Sequence, residues 1–217
     1  MAKIFFVDFD DVLFNTRDFM ADLIAACAPF GISSEQWRDA YRNRTGDIPG
    51  VHAPFTIERF AAVLGERTGV SATRLADAMR AIAMRDLPRY VFADSVPFLR
   101  AVGRDHAMVL TYGDTEFQMT RVRDSGIARE VAEVFVTQSQ KVEVIADYLA
   151  THPSVAPTDI VYLDDRAIYF GPVKERLPDV RTVLVARPER RYADAPTDAC
   201  DTVVESLAQA QDIVVNG

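Results

Sequence analysis

The chain has 217 residues, 49% of them apolar and 26% charged, a balance that excludes a disordered or fibrous protein and allows one sizeable domain, or one domain plus a lid. Lys and Arg number 24 against 32 Asp and Glu, a net charge of −8, which argues against gripping nucleic acid, whose affinity comes largely from neutralised phosphates, while leaving open a locally basic pocket for a small anion. Cys27 and Cys200 are too far apart for a disulfide framework, the apolar runs fall short of the ~20 residues that span a bilayer, and KIFFV leads into acids rather than a signal-peptide pattern, so a soluble cytoplasmic protein with no membrane partner is expected.

In chain order, residues 3–7 read as a short strand ending in acids. From about residue 16 to 93 no strand pattern follows. Met20, Leu23, Ile24 and Cys27 recur at helical spacing; Ser33-Ser34-Glu35-Gln36 resembles a capping box that opens a second helix. Ile57, Phe60, Ala61 and Leu64 mark a third helix, and Leu75, Met79 and Ile82 a fourth, with residues 46–54 between them as a Gly- and Pro-bounded loop. Strand-like runs then return at 106–110, 133–137, 159–163, 181–186 and 202–204. They alternate with helical patterns at 94–104, 115–124, 141–151, 168–177 and 206–213. Short apolar strands alternating with helices predict an α/β fold, a doubly wound, mostly parallel sheet covered on both faces. A helical module, 16–93, interrupts the α/β core, 1–15 and 94–217.

In an open parallel sheet, ligands bind at the carboxyl ends of the strands. Here those ends carry Asp8, Asp10 and Asp11 after the first strand, Thr111 at the second and Asp164 and Asp165 at the fourth, with Lys141 opening the helix after the third. Five neighbouring carboxylates repel one another, and one Lys cannot balance them. A hard divalent cation with oxygen ligands can, and Mg²⁺ uses one or two carboxylates plus a substrate phosphate. No His or Cys cluster stands near to suggest zinc. Only Lys3, Lys141 and Lys174 are lysines, so Lys141 reads either as a place for a compact point charge or as chance at a helix start.

These residues resemble the haloacid dehalogenase-like (HAD) hydrolases. Asp8-Phe9-Asp10-Asp11-Val12 resembles their D-x-D-x-[T/V] motif, Thr111, Lys141 and Asp164-Asp165 their second, third and fourth motifs, in order, and the helical insert their C1-type cap. The position after the second Asp, often Gly, is Asp11. The resemblance implies a Mg²⁺-dependent phosphatase acting on a small phosphorylated substrate. Asp8 would be the nucleophile, forming an aspartyl-phosphate, and Asp10 the acid and base, its backbone carbonyl also a metal ligand. Thr111 and Lys141 would hold the phosphoryl oxygens, and Asp8, Asp164 and Asp165 would complete the metal site. Backbone amides near Asp11 and Tyr112 would cradle the anion, although the Asp11 side chain reads as a surface acid.

In the cap, Arg38 and Arg42 share a helix face near Arg44 and are candidates for a second anionic group of the substrate, as is His52 in the loop. A solvated basic face is the competing reading. Trp37, Tyr41 and Phe55 read as cap core, and Arg187, Arg190 and Arg191 as a surface loop. The alternatives are a phosphomutase of the same family and, in a different class, a non-catalytic or receiver-like phosphoacceptor. The sequence is silent on substrate identity and oligomeric state.

Overall fold

The computed structural model describes residues 3–43 and 54–215. Its contacts divide the chain into two units, Met1–Arg17 with Tyr90–Gly217 and Asp18–Arg89. The breaks fall within a few residues of 15 and 94.

The first unit holds a six-stranded sheet of β1 (Ile4–Val7), β2 (Ala107–Tyr112), β3 (Glu133–Thr137), β4 (Ile160–Asp164), β5 (Arg181–Val185) and β6 (Thr202–Val204), in the order β3-β2-β1-β4-β5-β6. All pairings within this sheet are parallel. β1 has no polar residue because it has no wet face: all four residues of IFFV are buried, between β2 and β4. Helices α5 (Ser95–Val102), α6 (Thr115–Asp124), α7 (Lys141–Thr151), α8 (Phe170–Arg176) and α9 (Leu207–Ala210) connect or follow the strands. Phe6 meets Tyr148 edge-on at 5.2 Å, and Tyr162 meets Phe170 at 5.4 Å. Fully burying side chains of this size stabilises by about 1.5–3 kcal/mol each.

The second unit is helical: most of α1 (Thr16–Cys27), then α2 (Ser34–Arg42), α3 (Ile57–Thr68) and α4 (Ala72–Ala83). The capping box at the start of α2 is formed on both sides: Ser33 N–H donates to Gln36 Oε1 at 2.8 Å and Gln36 N–H to Ser33 Oγ at 3.1 Å. Trp37 is fully buried, stacked on Tyr41 at 5.5 Å and 4.6 Å from Phe60, which touches Phe55. These aromatics are the core of the unit. Ile82 differs from expectation: it is exposed, and Ala83 takes the buried place in the last turn of α4. Among the described residues no helix is long and apolar enough to cross a membrane.

Candidate active site

β1 lies in the middle of the sheet, so the chain leaves it to one side for β2 and to the other for β4, and the ends of all three strands adjoin. Asp8 continues the β1–β4 ladder by one bond, its N–H donating to Leu163 O at 2.9 Å. The chain then turns. Leu13 and Phe14 N–H both donate to Phe9 O at 3.0 Å, and Asp11 N–H donates to Phe14 O at 2.8 Å. The Asp11 amide is therefore itself committed to this turn. Asp11 sits at φ +59°, the left-handed region. That is the physical reason a Gly suits the position; Asp is among the few other residues that enter it.

Lys141 opens α7 with its ammonium buried between two carboxylates, 2.9 Å from Asp8 Oδ1 and 2.6 Å from Asp164 Oδ2. The Tyr162 hydroxyl, two residues earlier on β4 and so on the same face, also donates to Asp164 Oδ2, and Arg166 N–H donates to Asp164 Oδ1 at 2.9 Å. Burial works against the Lys141 charge, but Asp164 and Asp8 outweigh it and hold its pKa above the ordinary value. Burial raises Asp8, helped by Asp164 and Asp10 and opposed by Lys141, to about 8. Asp165 is raised further, chiefly by burial and then by Asp164 and Asp8.

Asp10 has different company. Arg121, on α6, reaches it with both ends of its fork, Nη2 to Oδ1 at 2.7 Å and Nη1 to Oδ2 at 3.2 Å. The Thr16 hydroxyl donates to Oδ1, and Gln118 Nε2 to Oδ2 at 2.9 Å. Burial opposes the Asp10 charge, but Arg121 and then Arg191 overcome it and hold the carboxyl well below the usual carboxylate range. Gln118 Nε2 also donates to Thr111 Oγ1 and Tyr112 O, each at 3.0 Å, so one amide joins the ends of β1 and β2. Gly113 makes room for it: at φ +155°, a Cβ there would lie 2.9 Å from Gln118 Cγ.

Asp11 is fully buried, not a surface acid, and Arg191 Nε donates to its Oδ2 at 2.7 Å. Burial outweighs Arg191 and leaves the Asp11 carboxyl above its ordinary pKa. The segment carrying Arg187 and Arg191 is likewise no plain surface loop. Arg187 is buried, donating to Val12 O at 3.0 Å and Asp94 Oδ1 at 2.6 Å, so two arginines beyond β5 grip the turn after β1.

Asp8, Asp10, Asp11, Asp164 and Asp165 meet Lys141, Arg121 and Arg191, whereas Arg166 pairs with Asp194. The expectation of a single balancing cation is corrected to three. With all five acids ionised, these three cations would leave a net charge of two negative. Asp8, Asp164 and Asp165 are all buried and each offers an oxygen within 4.8 Å of the others. Asp165 Oδ2 is buried with no hydrogen-bond partner among the described residues. Such a set of hard oxygen donors fits a divalent cation such as Mg²⁺. The Asp10 carboxylate faces Arg121, so only its backbone carbonyl remains a candidate ligand.

Thus the first unit brings together Asp8, Asp10, Asp11, Thr111, Lys141, Asp164 and Asp165, with Tyr112 at the end of β2. Arg42 stands on the exposed side of α2 in the other unit; His52 and Arg44 lie outside the described residues. Sequence reasoning missed Thr16, Gln118, Arg121 and Tyr162. Arg121 reads in sequence as an ordinary basic residue in the last turn of a helix. Tyr162 could have been found by period-two counting back from Asp164.

No family model and no curated protein sequence matches the chain. Solved structures do. A protein described as a haloacid dehalogenase-like hydrolase from Burkholderia xenovorans LB400 is 17% identical with a TM-score of 0.70, covering 98% of this chain and 96% of its own. The L-2-haloacid dehalogenase of Xanthobacter autotrophicus is 18% identical with a TM-score of 0.63, covering 99% and 98%. A protein described as the HAD-hydrolase YfnB of Bacillus subtilis, solved bound to magnesium, is 14% identical with a TM-score of 0.66, covering 98% of each chain. With four motif positions gathered at one rim of the same sheet, the chain has the fold of the haloacid dehalogenase-like hydrolases.

Proposed function

We propose that this chain is a Mg²⁺-dependent hydrolase of the HAD type, a phosphatase that acts on a small phosphorylated metabolite through an aspartyl-phosphate on Asp8. The observation that carries the reading is the acid cluster at the sheet rim: Asp8, Asp164 and Asp165, all buried, each offer an oxygen within 4.8 Å of the others, and Asp165 Oδ2 has no hydrogen-bond partner among the described residues. Asp8, Asp164, Asp165 and the Asp10 carbonyl would hold the ion, which supplies the charge neutralisation that lets an anionic phosphoryl group approach.

An Asp8 oxygen attacks phosphorus as the bond from phosphorus to the leaving oxygen breaks; water then attacks the aspartyl-phosphate and releases inorganic phosphate. Lys141 offsets the Asp8 charge and, with the Thr111 hydroxyl, takes phosphoryl oxygens. Asp10, ordered as an acceptor, is placed to orient the attacking water in the second step, and it takes that water's proton more readily once Arg121 loosens its hold. Donating a proton in the first step requires a conformer in which Arg121 releases it. The helical unit is read as the cap, with Arg42, His52 and Tyr112 as candidate substrate contacts.

The test is phosphate release from p-nitrophenyl phosphate with Mg²⁺ or with EDTA, for the wild type and Asp8→Asn. Turnover that needs the metal and is lost in Asp8→Asn supports the reading. Equal rates after chelation, or an active Asp8→Asn, would remove it. Chloride release from 2-chloropropionate in place of phosphate release would move the reading to dehalogenation. A screen of phosphorylated metabolites then names the substrate.

A further inference from the structure

We infer that Arg121 and Gln118 are positioning residues: together they fix the Asp10 carboxylate and tie it to Thr111, so that both groups meet the substrate in one geometry. The inference rests on the phosphatase reading and goes beyond it, since neither residue belongs to the four motifs.

The geometry is specific. Arg121 is buried to 3% exposure, and its fork spans both Asp10 oxygens. Its guanidinium lies over three rings, 4.6 Å from the centre of Phe14, 5.1 Å from Phe9 and 5.5 Å from Phe117. Two of those rings, stacked on each other at 4.8 Å, belong to the turn that carries Asp10. A flat, delocalised cation can lie on aromatic faces and bind a carboxylate with its edge at once; an ammonium cannot do both. Gln118 stands one helical turn earlier, and its carbonyl accepts from Arg121 Nη1 at 2.7 Å while its amide reaches Asp10 and Thr111. Asp114 caps α6, accepting from Phe117 N–H at 3.1 Å, and so fixes the turn from which both side chains project. A buried cation is costly unless it is paired and hydrogen-bonded, and this one is paired with Asp10 through both ends of its fork.

A merely structural Arg121 and a positioning Arg121 differ in how they couple to Asp10. The measurement is a double-mutant cycle on kcat and KM with p-nitrophenyl phosphate and Mg²⁺: wild type, Arg121→Met, Asp10→Asn and the double variant, with melting followed for each. Asp10→Asn is expected to lose about a hundredfold in kcat, the scale of a general acid or base. Arg121→Met is expected to lose at least about tenfold in kcat with little change in KM, and nothing further on the Asp10→Asn background. Arg121→Lys keeps the charge without the fork and should recover only part of the loss. Gln118→Leu, which leaves the Arg121 pair in place, should lose less and serves if Arg121→Met fails to fold. Losses that add in the double variant, or full activity in a folded Arg121→Met or Gln118→Leu, would overturn the inference and leave the phosphatase reading standing. A wild type silent toward the ester overturns both.

Discussion

Lys141 holds its ammonium 2.9 Å from the Asp8 carboxylate, with 2% of its side chain exposed. At that depth the ammonium offsets acid charge that water cannot reach. Asp164 shares the same ammonium, so one cation serves two acids.

Lys141→Met should therefore fail twice. Turnover should fall by about 10²–10³-fold, the scale seen when one preorganised group at a developing charge is lost. Stability at neutral pH should fall by about 3–5 kcal/mol, the penalty for breaking a buried pair. Phosphate release and urea unfolding measure the two. A loss of rate alone would mean that the buried pair contributes nothing net to stability.

The proton balance yields a second prediction, about Mg²⁺. Burial raises Asp8 to about 8 and Asp165 to about 9 from an ordinary 3.8. Without metal the folded chain then holds protons that the unfolded chain has released. The stability these two groups contribute is full below pH about 4 and is lost as pH rises through 8 to 9. Mg²⁺ replaces those protons, so binding should release them and should raise the melting temperature more at pH 9 than at pH 6. Calorimetry in two buffers of different ionisation heat counts the protons. An equal melting shift at both values would mean that binding displaces no protons, and no shift at either would mean that the site binds no ion.

Much of this was legible in the sequence, for physical reasons that differ from residue to residue. The strands were legible because a parallel sheet buried on both faces needs continuous apolar runs such as IFFV. Asp8, Thr111 and Asp164 were legible because strand ends converge at the rim. Arg121 and Arg191 were not, because no local pattern distinguishes a helix-end or loop arginine that turns inward from one that stays in water. Asp11 misled for the opposite reason: an acid in a turn is ordinarily exposed, and its burial depends on Arg191, far along the chain.

Asp11 also carries a conformational argument. At φ +59° a side chain other than Gly costs about 1–2 kcal/mol. Asp11→Gly loses the Arg191 pair but relieves the backbone, whereas Asp11→Ala loses the pair and keeps the strain. The Gly variant should be the more stable of the two by about 1 kcal/mol in urea unfolding. The reverse order would mean that the turn relaxes out of the left-handed region when its side chain is cut back.

The state of Asp10 leads to the last prediction, about substrates. Four hydrogen bonds from Thr16, Gln118 and Arg121 hold its carboxyl ionised and well below the usual range. A carboxylate so held has no proton to give a departing alkoxide, so an ester whose leaving group departs unaided has the advantage. Aryl and acyl phosphates, with acidic leaving groups, should be hydrolysed with higher kcat than alkyl phosphates of similar size. The contrast should shrink in Arg121→Met, where Asp10 loses its strongest partner and regains a proton more easily. Rates for p-nitrophenyl phosphate and a simple alkyl phosphate, in both proteins, decide the matter. An alkyl ester turned over as fast as the aryl ester by the wild type would mean that Asp10 leaves Arg121 during turnover and acts as the acid after all.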